Sequence, residues 1–200
     1  MLDVAINFLA AQLDAYRRAR GNLMPPGQGE PAKPWVVPTR IANDKGELLV
    51  AKDSIGVALV NIEEERTAPE QLPDVRRIGT RNVVFEPELR LNLTLLFAAS
   101  DDGGKAYGDA LKSLSMLLTF FQANPSFSPD RHPALDPRIT KLSLKLLTPT
   151  YEQLNPLWSF VGGKQLPSAL YHARMVALQD EQPASVGEPI VEIDQAVGMR

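Results

Sequence analysis

The chain has no cysteine and only two histidines in 200 residues. The first absence excludes disulfides, thiolate metal sites and a cysteine nucleophile, and it permits folding in a reducing compartment. The second leaves His132 and His172 as the only imidazoles, so a metal site would need both of them plus carboxylates from distant segments. No apolar run reaches the roughly 20 residues that span a bilayer. Met1 to Arg20 is amphipathic and carries its basic residues at the far end, so it lacks the order of a secretory signal. The expectation is a soluble protein made in the cytoplasm, without direct membrane insertion. Nor is there an excess of one charge: a formal net charge of -3 supplies no field suited to phosphate backbones, which argues against nucleic acid as a partner.

What the sequence does contain is a clear change of period. Leu89, Leu91, Leu93, Leu95 and Phe97 alternate with polar residues, which predicts a half-buried strand. After Asp101-Asp102-Gly103-Gly104, Tyr107, Ala110, Leu111, Leu114, Leu117, Leu118 and Phe121 recur at helical spacing until Asn124-Pro125 ends the run. A strand feeding a long amphipathic helix is the expected core unit.

Upstream, Leu2, Ala5, Phe8, Leu9, Leu13 and Tyr16 predict a first helix closed by Gly21, and 22–34 reads as a loop. Trp35–Ile41 and Leu48–Ala51 flank Asn43-Asp44-Lys45-Gly46, which has the composition of a hairpin turn. Ile55–Ile62 is apolar on both faces and is expected mid-sheet. Ile55, Val57 and Leu59 are assigned to one face, and Ala58, Val60 and Ile62 to the other. Thr67–Val84, with two prolines and several arginines, reads as a long exposed loop.

Downstream, Leu142, Leu144 and Leu146 predict a strand with one wet face, and Ser168–Leu178 a further strand with His172 and Arg174 on its polar side. Between them Thr150 and Gln153 have capping-box spacing. Pro156 leaves two possibilities, a kink or a new helix start capped by Asn155. The expected architecture is one α+β domain over 1–178, a mixed and mainly antiparallel sheet packed against the central and N-terminal helices, followed by a polar acidic tail over 179–200.

Chemistry is sparse. His132 sits in a proline-broken loop and His172 on a strand, and neither has a spaced acid partner. Consecutive residues of the Glu63-Glu64-Glu65 run point to opposite faces, which suits a charged strand end better than an acid–base pair. The serines lack a nucleophile elbow. No catalytic, cofactor or metal residue is assigned. Surface contacts are better supported: Glu63, Glu64 and Glu65, followed by Arg66, offer acidic charge opposite to that of Arg76, Arg77 and Arg81, and Ile190, Val191 and Ile193 form an apolar patch in the tail.

Several spaced blocks carry a resemblance. They are Val60-Asn61-Ile62-Glu63-Glu64-Glu65-Arg66, Leu91-Asn92-Leu93 through Leu96-Phe97-Ala98-Ala99, and Leu111 through Phe120-Phe121-Gln122 to Phe127, followed by Leu154-Asn155, Leu157-Trp158-Ser159, Gly162–Lys164, Pro167-Ser168, Tyr171 and Arg174-Met175. Together they resemble the tube-cap, or terminator, family of extracellular contractile injection systems, the phage-tail-like particles of bacteria. The resemblance implies a phage tail-terminator-like fold and a non-enzymatic structural cap. Such a cap would form a homohexameric ring on the baseplate-distal end of the inner tube and sheath and stop their polymerisation. Its implied partners are itself, the inner tube protein and the sheath protein. It would assemble in the bacterial cytoplasm as part of a particle that is released or anchored. Two other classes stay open from the residues alone: a small ligand-binding or enzymatic domain using His172, and an adaptor acting through its acidic tail.

Overall fold

Alternating leucines and a helical apolar stripe generate the centre of the molecule, seen here in a computed structural model. It describes residues 1–21, 34–65, 74–79, 81–85, 90–100, 105–162, 165–176 and 185–187. Helix α1 (Leu2–Gly21) precedes strands β1 (Val36–Pro38), β2 (Ile55–Glu64), β3 (Asp74–Ile78), β4 (Arg81–Phe85) and β5 (Arg90–Ala99). Then come α2 (Lys105–Ala123), β6 (Ser126–Phe127), β7 (Lys141–Leu147), α3 (Tyr151–Val161), β8 (Ser168–Val176) and β9 (Ser185–Gly187). The main sheet is six-stranded in the order β1-β2-β5-β8-β7-β6, and β3-β4-β9 form a second, three-stranded sheet. Among the described strands only the β1–β2 pair is parallel, so the sheet is mixed and mainly antiparallel. The α+β architecture expected from the sequence is the one observed.

Period two places Leu91, Leu93, Leu95, Phe97 and Ala99 of β5 on one face, where they join Tyr171, Ala173 and Met175 of β8 and Leu142 and Leu144 of β7. Helices α1 and α2 cover that face with Ala5, Phe8, Leu9 and Leu13, and with Leu117, Phe120 and Phe121. Tyr171 lies 4.8 Å from Phe121 and 5.7 Å from Phe97 between ring centroids. Each such side chain removed from water contributes about 1.5–3 kcal/mol. On the opposite face a smaller cluster gathers Leu96 and Ala98 with Ile41, Val50, Trp158 and Leu166. There α3 and the turn following β1 cover one end of the sheet.

Several sequence expectations need correction. The segment read as an exposed loop contains β3 and β4, a hairpin with Ile78 opposite Arg81 and Gly79 at φ 64°. Gly-Thr between runs rich in β-branched residues is a two-residue hairpin signal, outweighed in the sequence by the neighbouring prolines and arginines. The Asn43–Gly46 turn does form: Asn43 Oδ1 accepts the N–H groups of Lys45 and Glu47, both at 2.9 Å. Its arms are joined only by an isolated bridge between Ala42 and Leu48, because Val36–Pro38 pairs with β2 instead.

β2 is internal only along Ile55–Val57, where β1 lies beside it. It also carries a bulge between Leu59 and Asn61, so Ile62 pairs with Leu93 and shares the helix face with Leu59 rather than lying with Ala58 and Val60. Of the two possibilities at Pro156, no new start forms. A single helix runs from Tyr151 to Val161, its first turn held by Gln153 Oε1 accepting the Thr150 N–H at 3.0 Å.

Candidate assembly interface

The face of the main sheet opposite α1 and α2 is divided. One end lies under Trp158 and Leu166, and the other presents polar residues in register. Across it run Asn61, Thr94, His172 and Lys145, then Glu63, Asn92, Arg174 and Ser143. These rows follow from strand alternation, because the residues between the buried leucines of the helix face are polar and point to the opposite side. Asn92 Oδ1 is buried without a hydrogen-bond partner. Arg174 Nε donates to Glu65 Oε2 at 2.6 Å, across the width of β5, and Asn61 Nδ2 donates to Glu63 Oε1 at 2.7 Å.

The acidic run therefore separates by face. Glu63 and Glu65 lie on the open side and Glu64, opposite Leu91, on the helix side. Glu63 and Glu64 are exposed, while Glu65 is half-buried beside Arg174. The arginine set belongs to the second sheet. Arg76 is a β3 residue opposite Val83, and Arg77 and Arg81 are exposed on β3 and β4. Arg66, Ile190, Val191 and Ile193 lie outside the described residues. The part of the tail that is described, Ser185–Gly187, pairs with Val84–Asn82 of β4.

Tyr107, Leu111 and Leu118, which the helical spacing placed in the core-facing stripe of α2, are instead exposed, and an apolar surface forms where α2, β7 and α3 meet. A groove of 670 Å³ is lined by Tyr107, Leu118, Leu146, Leu154, Leu157 and Leu170, among others. Tyr107, Leu111 and Leu118 form a second stripe on α2, and Phe160 on α3 is 79% exposed. Trp158 is the core residue of α3 and Phe160 is not. A helix with apolar residues on two faces marks a surface with more than one packing partner.

His172 has Thr94 and Lys145 as its cross-strand neighbours, with no carboxylate beside it in register. His132 stacks edge-on to Phe8 and Phe127, at 6.1 and 4.9 Å. Among the described residues no group of three His, Asp or Glu is placed to hold a metal ion. No described helix is long and apolar enough to cross a membrane.

Comparison with known proteins finds similar solved structures, among them the following two. One is the sheath/tube terminator of an extracellular contractile injection system, PVC, in the extended state, with 14% identity, a TM-score of 0.48, and coverage of 74% of this chain and 50% of that one. The other is the tube-terminating cap of the anti-feeding prophage, AFP, with 14% identity, a TM-score of 0.49, and coverage of 78% and 56%. The chain thus spans about half the length of the structures it matches. No curated protein matches it. A family model described as the Pvc16 N-terminal domain matches residues 6–192, nearly the whole sequence, and the protein belongs to that family.

Proposed function

We propose that this protein is a structural cap of a bacterial contractile injection particle. In this reading it forms a sixfold ring on the baseplate-distal end of the inner tube and sheath and stops both from growing. Membership of the Pvc16 N-terminal domain family over residues 6–192 carries the reading. The geometry is in keeping with it. The sheet has unlike edges, and the β3–β4 hairpin and an exposed apolar groove accompany it, surfaces that suit a subunit with several different neighbours.

The mechanism is geometric. A polymer built by head-to-tail contacts presents the same surface after each addition and extends without limit. A cap subunit that matches that surface on one side and does not reproduce it on the other ends the series. No covalent step is needed, and the protein acts as a non-enzymatic component assembled in the cytoplasm. Its contact residues in this reading are Glu63, Glu64, Glu65 and Arg66 at the end of β2, Arg76, Arg77 and Arg81 on the β3–β4 hairpin, and Ile190, Val191 and Ile193 in the tail.

The test is to image particles made without this protein. Overlong or irregular tubes and sheaths are the expected result. Tubes and sheaths of normal length in its absence would overturn the reading.

A further inference from the structure

Among the described residues, two stretches at the edges of the main sheet have no strand paired beside them. β1 covers β2 only as far as Val57, whose carbonyl accepts the Thr39 N–H at 3.0 Å. Beyond it, no described strand lies beside Leu59 to Glu63. At the other side β6 covers only the first part of β7, and the Pro125 carbonyl accepts the Leu144 N–H at 2.8 Å. No described strand lies beside Lys145 to Leu147.

The side chains on these edges match by face. Ile62 and Leu146 are both on the helix side, opposite Leu93 and Tyr171, and are 46% and 48% exposed. Glu63 and Lys145 are both exposed on the other side, opposite Asn92 and His172. The backbone phase matches as well. Glu65 N–H points inward to the Arg90 carbonyl, so the peptide groups of Glu63 also point inward and those of Ile62 outward. On β7 the outward Leu144 N–H places Leu146 in the outward set.

We infer that β2 of one copy pairs antiparallel with β7 of the next, with Ile62 opposite Leu146 and Glu63 opposite Lys145. This deepens the cap reading and rests on it for the ring. The directions are correct without adjustment. β2, β5, β8 and β7 alternate, so a second copy's β2 continues the antiparallel pattern. One register satisfies all three conditions: Ile62 and Leu146 form a hydrogen-bonded pair, and Glu63 and Lys145 form the adjacent non-hydrogen-bonded pair, whose side chains approach more closely. Within one copy Leu146 is level with Leu59 through Tyr171 and Leu95, so pairing it with Ile62 staggers successive copies. Stagger of that kind accompanies closure of a sheet on itself. The joint is heterologous and yields a ring when the rotation closes.

The cysteine-free sequence makes the test direct. In one copy Glu63 and Lys145 are separated by β5 and β8, roughly 14 Å across three strand spacings, which is too far for a disulfide within the chain. The Glu63→Cys, Lys145→Cys double variant is oxidised both in assembled particles and as concentrated full-length protein. A covalent ladder ending in a closed ring in either preparation is expected, with each single-cysteine variant remaining uncrosslinked. No ladder in either preparation, or dimers of the single variants in equal yield, overturns the register.

Charge exchange gives a second readout. Glu63→Lys and Lys145→Glu should each weaken self-association about fivefold at low salt, and the two together should restore it. A double variant no better than the singles overturns the pairing. The cap reading fails separately. Tubes of normal length without the protein, with the ladder still formed in concentrated solution, would remove the cap role and leave the edge pairing. Overlong tubes without the protein and no ladder would do the reverse.

Discussion

Asp14 Oδ1 accepts the backbone N–H groups of both Trp35 and Val36, at 2.9 and 3.1 Å, and so ties the middle of α1 to the start of β1. Asp14 and Trp35 are both buried, and the Arg17 guanidinium lies 5.3 Å from the centre of the Trp35 ring. Removing the carboxylate leaves two buried donors without an acceptor, at about 1–3 kcal/mol each. Asp14→Ala should therefore lower the unfolding free energy by about 3 kcal/mol. Asp14→Asn, which keeps one carbonyl oxygen in place, should cost about 1 kcal/mol. Urea denaturation of the two variants checks the order, and equal losses would show that packing, not acceptance of the two N–H groups, is what Asp14 supplies.

That contact also shows where sequence reading reaches its limit. β5, β7 and β8 were legible because their alternation settles which face is buried without reference to a partner. By contrast, α2 was legible as a helix but not by face: Tyr107, Leu111 and Leu118 of the expected stripe are exposed, and Phe120, outside it, is buried. Asp14 carried no role in the sequence, because its partners lie 21 and 22 residues away. The bulge at Val60 was equally invisible. It depends on how β2 fits β5, and it moves Ile62 and Glu63 to faces that simple alternation does not assign. The candidate interface residues were legible as charge runs. That the glutamates alternate was legible too, but which face each takes came only with pairing, and the Glu65–Arg174 contact spans 109 positions.

Gly56 is the point where the turn after β1 presses on the sheet. A Cβ there would stand 2.7 Å from Val50 Cγ2 and 3.1 Å from Thr39 Cγ2. Gly56→Ala must push Val50 and its chain away from Ala98, an overpacking cost of about 1–3 kcal/mol. In a Val50→Ala background the same change should cost less than about 1 kcal/mol. A double-mutant cycle by denaturation measures this coupling, and additive losses would contradict it.

Burial of Tyr171 between Phe97 and Phe121 pushes its phenol from an ordinary 10.0 up to about 12. An acid whose folded-state value is raised is neutral in the fold while the unfolded chain already ionises. Stability is thus fully present below pH 10 and falls as pH rises from 10 towards 12, by about 2–3 kcal/mol in all. Ultraviolet titration should show one late phenolate transition that coincides with unfolding. Tyr171→Phe should abolish the late transition and flatten that part of the stability profile, while keeping the ring packing.

The β3–β4 hairpin tests the remaining part of the proposed interface. Arg77 lies opposite Asn82 and Arg81 opposite Ile78, so the two guanidinium groups leave opposite faces of the hairpin. Both are exposed, and substitutions at such positions change stability by no more than about 0.5 kcal/mol. If the hairpin reaches an acidic surface of the tube or of a neighbouring copy, Arg77→Glu with Arg81→Glu should leave the melting temperature in place and reduce the fraction of capped particles. The reduction should be largest at low salt and fade as ionic strength rises, because exposed charges act over about 10 Å at 0.1 M. Reversal on one face alone separates the two faces: the arginine whose single reversal reproduces the loss faces the partner. Unchanged capping across the salt series would remove the hairpin arginines from the interface and leave the β2–β7 edges as the charged contact.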